Sequence, residues 1–453
     1  MNGTGRIMKR TKSGAKVLAV AALTALLAAA APACAEQSVS GFYRLHMVTD
    51  NLKGAPAKDK AAESQVDNRL RMMYKNTLNE YVYFVYFAEI DTLWGQKSKG
   101  SIGGGGEAGA DGVNVETKNA YLDFKIPGSI FAFRTGIQGF ADNFDNAFVS
   151  DDMAGLRAHL TVAPNFSTDL GYFKFYENLS TDWDDVDFYT LQNSFKLGDN
   201  LSLGADFYWR ANASGKVIAS GAALGSTTPV TLKSDDLYVL GASAKAKVAD
   251  LGLTGWLAYQ FGKQELLSGG DANYGSLGAS AKATIKFGPA NTGLRLTYFS
   301  KDDSAKDAKT WQQIALGNVE FNKENLSIFF TDPLYCNTAS GRHALTDAAE
   351  AGFGLFGVNA TADVKLPADF TLYAGAGYFM ALADKANGAT SKTVDGKDLG
   401  FEVAARIATK VATKVDVSLG GAYAFLGSFY KAPGAGSDPD NLYKMDFMIN
   451  TSF

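Results

Sequence analysis

Nucleophilic catalysis at neutral pH usually needs an imidazole beside a serine or cysteine, so the histidines come first. The 453-residue sequence holds three: His46, His159 and His343. His46 and His159 each follow an arginine by two positions in an alternating stretch, which is where a polar wall residue would stand. His343 shares the segment NTASGRHALTD with Ser340 and Asp347, a composition that any surface loop can carry, and no nucleophile elbow is present. Metal chemistry finds no better support. No Cys/His pair has ligand spacing, and DWDDVD (182–187) reads as a solvated acidic rim sooner than as a cation site. GGGG (103–106) lacks the following helix and lysine of a phosphate loop, so it reads as a flexible cap. The sequence predicts no enzyme and no cofactor.

Arginines are the residues whose spacing carries information. Nine lie beyond residue 35, and only Arg342 falls in a loop. The other eight (Arg44, Arg69, Arg71, Arg134, Arg157, Arg210, Arg295 and Arg406) sit in alternating stretches opposite an apolar face. Arg69 and Arg71 alternate with Leu70 and Met72, Leu156 and Ala158 flank Arg157, and Ala405 and Ile407 flank Arg406. Strand side chains point alternately to two sides. An arginine facing lipid at mid-bilayer costs about 2–4 kcal/mol, so eight of them imply an apolar outside and a wet, charged inside.

The elements that position these residues repeat along the whole chain. Alternating segments of about ten to thirteen residues are bounded by turn chemistry. One set of boundaries is short: NTLNE (76–80), PGS (127–129), APN (163–165), GDN (198–200), GPAN (288–291), NKEN (322–325) and LPAD (366–369). The other set is long and rich in small polar residues, as in KGAPAKDKAAE (53–63) and the stretches 95–112, 211–229 and 384–398. Short turns at one end and long loops at the other predict an all-β transmembrane antiparallel β-barrel with periplasmic turns and extracellular loops. The count comes to about 20 strands, with 16–22 open. A barrel of that size is wide enough for an aqueous channel.

Compartment and charge agree with this. Residues 1–35 combine a basic start, an apolar run from Val17 to Ala33 and an Ala-Cys-Ala cleavage site, which predicts a signal peptide, with Met8 an equally good start. Cys34 lies in a poor lipobox, so a lipid anchor is not expected. That leader holds five bases and no acids, leaving 38 bases against 47 acids in 36–453, a net −9 that argues against nucleic-acid binding. Cys336 is then the sole cysteine, so no internal disulfide is expected; it reads as a loop thiol.

The predicted constriction is the loop after the fifth strand, GFADNFDNAFVSDD (139–152). It interleaves Asp142, Asp145, Asp151 and Asp152 with Phe140, Phe144 and Phe148. Folded inward, it would lay its rings on the wall and present its carboxylates to the lumen. Opposite it a pore-lining basic ladder is expected from Arg44, Arg69, Arg71, Arg134, Arg157 and His159, giving a transverse field. The ladder favours anions weakly, because screening over ~8–10 Å mutes distant loop charge.

RLRMMYKN (69–76), NAYLDFKIPGSIFAFRTGIQGF (119–140) and the closing MINTSF (448–453) resemble Gram-negative outer-membrane porins, and most of all the homotrimeric porins of sulfate- and metal-reducing Deltaproteobacteria. The resemblance covers the first third and the last strand. It implies a homotrimer in outer-membrane lipid, a third external loop that sets the eyelet, and passive diffusion of ions and small hydrophilic solutes. It also implies that the barrel-assembly machinery reads the final alternating strand, with Phe453 as the signal. In that strand Tyr443, Met445, Phe447, Ile449 and Phe453 should face lipid and Lys444, Asp446 and Asn450 water; Met448 is a misfit. The other functions weighed are a substrate-selective channel and a sheath around an electron-carrying cytochrome.

Overall fold

Alternation resolves into strands throughout the computed structural model, which describes residues 36–53, 59, 61–96, 105–109, 113, 115–177, 184–215, 232–266, 270–304, 307, 309–314, 321, 324–330, 344–385, 394–431 and 438–453. The leader, Cys336, Arg342, His343 and parts of GGGG (103–104) and DWDDVD (182–183) lie outside the described residues.

Eighteen strands follow in order. The first six are β1 (Glu36–Asp50), β2 (Glu63–Asn79), β3 (Val82–Leu93), β4 (Glu116–Lys125), β5 (Phe131–Ala141) and β6 (Ser150–Ala163). Next come β7 (Phe166–Tyr176), β8 (Val186–Lys196), β9 (Leu201–Asn212), β10 (Leu232–Val248), β11 (Leu251–Leu266) and β12 (Asp271–Phe287). The last are β13 (Ala290–Phe299), β14 (Leu355–Lys365), β15 (Thr371–Met380), β16 (Asp398–Ala412), β17 (Val415–Leu426) and β18 (Leu442–Ser452). Each pairs antiparallel with its sequence neighbours, and β1 pairs with β18 from Phe42 opposite Ser452 to Asp50 opposite Lys444, so the sheet is closed.

All connections at one rim are two to five residues long, and six of the short boundaries expected from the sequence lie there. Two turns, at 249–250 and 413–414, had no Gly or Pro to announce them; Ala249 and Lys414 adopt left-handed φ of 52° and 64° to make them.

The strand number is 18, within the expected range but two short of 20, and the difference has one source. The sequence predicts a turn between two strands at NKEN. Instead, β13 pairs directly with β14, and the described residues among 300–354 form no strand. Their described parts at 309–314, 321 and 324–330 lie buried against the inner wall.

Outside, the apolar face is exposed as a lipid-facing belt should be: Met445 is 61% exposed, Leu240 57% and Leu419 54%. Outward aromatics at register-paired positions stack into a girdle, Tyr172–Tyr189–Trp209–Tyr238–Phe261, with centroids 4.8–5.8 Å apart. In β18, Tyr443 to Phe453 alternate as expected, and Phe453 exchanges two backbone hydrogen bonds of 3.1 Å with Gly41. Lys444 and Asp446 do point inward, but both are buried within the wall rather than open to water. Met448 is also buried, with His46 on one neighbouring strand and Ser418 on the other.

Inside, the lumen is not simply wet. An apolar cluster including Phe144, Phe148, Trp256, Phe299, Trp311, Phe321, Phe329 and Phe379 fills part of it.

Candidate functional site

Two inserted segments narrow the lumen. The first is the loop between β5 and β6, which spans 142–149; residues 139–141 and 150–152 of the expected constriction belong to the flanking strands. Asp142 organises it. Its Oδ1 accepts the N–H of Phe144 (2.7 Å) and Asn146 (3.0 Å), and its Oδ2 those of Phe148 (2.7 Å) and Val149 (2.8 Å). Burial pushes the Asp142 carboxyl up to about 6, and the four donors only partly oppose that rise. Phe144 packs on Tyr208 and Trp256, and Phe148 on Trp256. A Cβ on Gly241 would stand 2.6 Å from the Phe144 ring, so the wall has glycine where that ring rests.

Each of the four loop acids accepts a hydrogen bond within the protein. Asp142 is spent on its own backbone. Asp145 accepts from Trp256 Nε1 (2.9 Å) and from Arg295 (2.6 Å) across the barrel. Asp152 accepts from Lys118 (2.5 Å) and Asn119 (2.8 Å), and Asp151 from the Asp152 N–H (2.8 Å). Of these only Asp142 is buried, and it is the one whose unpaired charge would be most costly.

The second segment was not foreseen as an insertion. Glu402 on β16 accepts the N–H groups of Ser327 (2.6 Å), Ile328 (3.1 Å) and Phe329 (2.8 Å), pinning that backbone to the wall. Asn325 O lies over Gly375 of β15, where any Cβ would collide with it. Arg210, with Asp235 2.9 Å away, donates to Gln313 O (3.0 Å). Among the described residues the two segments hydrogen-bond to β9–β16, cushioning that side.

The ladder lies on the other side, and it is paired. Arg69 forks onto Asp91 (2.7 and 2.6 Å) with Glu89 at 3.4 Å, and Arg71 pairs with Glu89. Arg134 donates to Asp123 (3.0 and 2.9 Å) and lies 4.4 Å from the Tyr121 ring centroid. Arg157 and His159 both reach Asp169, at 3.4 and 3.1 Å. Arg44 lies opposite Arg69 in register and 5.7 Å from the Phe42 ring centroid. His46 Nδ1 is 3.2 Å from Asp67. Four guanidiniums thus meet four carboxylates, nearly all from directly opposed positions of a neighbouring strand. Arg406 differs: among the described residues it has no acid partner and stacks on Tyr373 at 4.1 Å. No three His, Cys, Asp or Glu among the described residues gather to hold a metal ion.

No protein-family model and no curated protein matches the chain. Solved structures match its fold. A BenF-like porin from Pseudomonas fluorescens Pf-5 superposes with a TM-score of 0.56 at 10% identity, covering 92% of this chain and 98% of that one. OccK2 (OpdF) of Pseudomonas aeruginosa, solved in complex with glucuronate, gives 0.55 at 10% identity with the same coverage. The outer membrane protein opdK of Pseudomonas aeruginosa gives the same figures as OccK2. The fold is that of outer-membrane porins.

Proposed function

We propose that this chain is an outer-membrane porin through which ions and small hydrophilic solutes diffuse passively. The observation that carries the proposal is the division of the lumen. Inserted segments cushion β9–β16, while β1–β7 keep a crescent of ion-paired side chains, and the outer face is an apolar belt. A polar strip beside a low-dielectric wall guides hydrophilic solutes and repels apolar ones. Selection by charge is expected to be weak, because the carboxylates largely cancel the anion preference that an unpaired ladder would give; Arg406 is the charge that favours anions.

The narrowing also favours a second reading, a channel selective for particular polar solutes. A cytochrome sheath is disfavoured, since the inserted segments take the space that an electron carrier would occupy. A signal peptide rests on residues 1–35, and a homotrimer, delivery by the barrel-assembly machinery and kinship with Deltaproteobacterial porins rest on the sequence resemblance; all belong to the proposal. Planar-bilayer recording across a salt gradient tests it. Stable channels with a small reversal potential are expected; a purified, folded barrel that never conducts would refute it.

A further inference from the structure

The two inserted segments share one cation. Arg295, on β13 and buried, donates from Nη1 to Asp145 of the 142–149 loop (2.6 Å) and to Ser280 (3.0 Å). From Nε and Nη2 the same guanidinium donates to Glu324 of the second segment (3.1 and 2.7 Å). Lys282 (2.7 Å) and Asn359 (3.4 Å) complete the surroundings of Glu324. These cations hold the Glu324 carboxyl below its usual range although burial works the other way. A second tie runs beside the first, from Ile314 N–H to Phe148 O at 2.8 Å.

Asp145 and Glu324 come from separate segments 179 positions apart, and neither bonds the other. A planar guanidinium can fork onto two carboxylates at once, and an ammonium on the same stem cannot reproduce that geometry. We infer that Arg295 is a positioning residue that latches the two constriction segments into one unit, so that pore width is set by both together and not by each alone. Loss of either carboxylate loosens both segments at this junction, while their other anchors to the wall remain. The inference rests on the channel reading only for its effect on current; the latch itself can be read without current.

The test uses Asp145→Asn, Glu324→Gln, the double variant and Arg295→Lys in the full-length folded barrel, with heat-modifiable mobility confirming the fold. Hydrogen exchange is read first. Asp145→Asn should speed exchange in 324–330, and Glu324→Gln should speed it in 142–149, each in the segment that was not altered. Single-channel recording is read second. Each single variant should shift the ratio of narrow to wide dwell times by about tenfold, the scale of losing one charge-assisted hydrogen bond. The double variant should match the singles, and Arg295→Lys should fall between them and wild type. Exchange confined to the altered segment, or dwell-time shifts that simply multiply in the double variant, would overturn the latch. A wild-type barrel that shows the exchange pattern but passes no current would refute the channel and leave the latch standing.

Discussion

Arg69 forks onto Asp91, so removing it strands that carboxylate in a buried wall, while Glu89 keeps Arg71. Arg69→Ala should lower stability by about 3–5 kcal/mol, the usual result of breaking a buried pair, seen as a fall in the urea midpoint of the detergent-solubilised barrel. With Arg71→Ala added, the reversal potential should move toward cations, because uncompensated acids then line the crescent. An unchanged potential would locate the constriction away from these strands. The arginines were legible from their alternation; their partners were not used, although the sequence held them. Arg69 and Asp91, and likewise Arg71 and Glu89, lie equally far from Glu80 at the end of NTLNE, so folding the hairpin there sets them opposite each other. Reflection about the Gly128–Ser129 bond pairs Arg134 with Asp123, and reflection about APN pairs His159 with Asp169. Alternation tells which face a residue takes, and only the turn position tells which partner it meets.

At the scale of elements, the 142–149 loop is held by one carboxylate bonded to four backbone N–H groups, and its stability should depend on pH. The folded loop binds the Asp142 proton more tightly than the unfolded chain does, with the carboxyl raised to about 6 from an ordinary value of 3.8. The cost of burying the charge is therefore fully present above about pH 6 and is relieved as pH falls toward the unfolded value. Thermal unfolding followed by circular dichroism should show Tm rising from pH 7.5 to pH 5. Asp142→Asn should flatten that slope and lower Tm at both ends. Its amide offers one acceptor where the carboxylate offered two, and a buried N–H left unmade costs about 1–3 kcal/mol. The third external connection was foreseen as an insertion because it mixed phenylalanines with acids. NKEN (322–325) reads as a hairpin turn because it bounds alternating segments, and a period of two matches a lipid-facing strand equally well. Such a period reports that one face is buried, not whether lipid or an apolar cushion buries it. The signal that separated the two cases lay on the wall, in lumen-facing glycines such as Gly241 and Gly375, where another backbone or ring must come close.

For the whole molecule, the barrel and its two rims were legible from rhythm alone, and the count erred only where a segment went inside. Deleting Phe453 removes the two hydrogen bonds to Gly41 at the junction of β18 and β1. The heat-modifiable, folded fraction recovered from outer membranes should drop, while the channels that do form should conduct as wild type does. Normal yield with altered conductance would assign Phe453 to the pore instead. The same junction bears on the order of events in the cell. β1 and β2 leave the ribosome early, yet the free side of β1 finds its partner only in β18, made last of all the strands. Throughout export, that row of N–H and C=O groups is an open template to which any other half-made chain could add. A wall that closes on its beginning cannot be laid down piece by piece, because its first strand stays open until its last is in place.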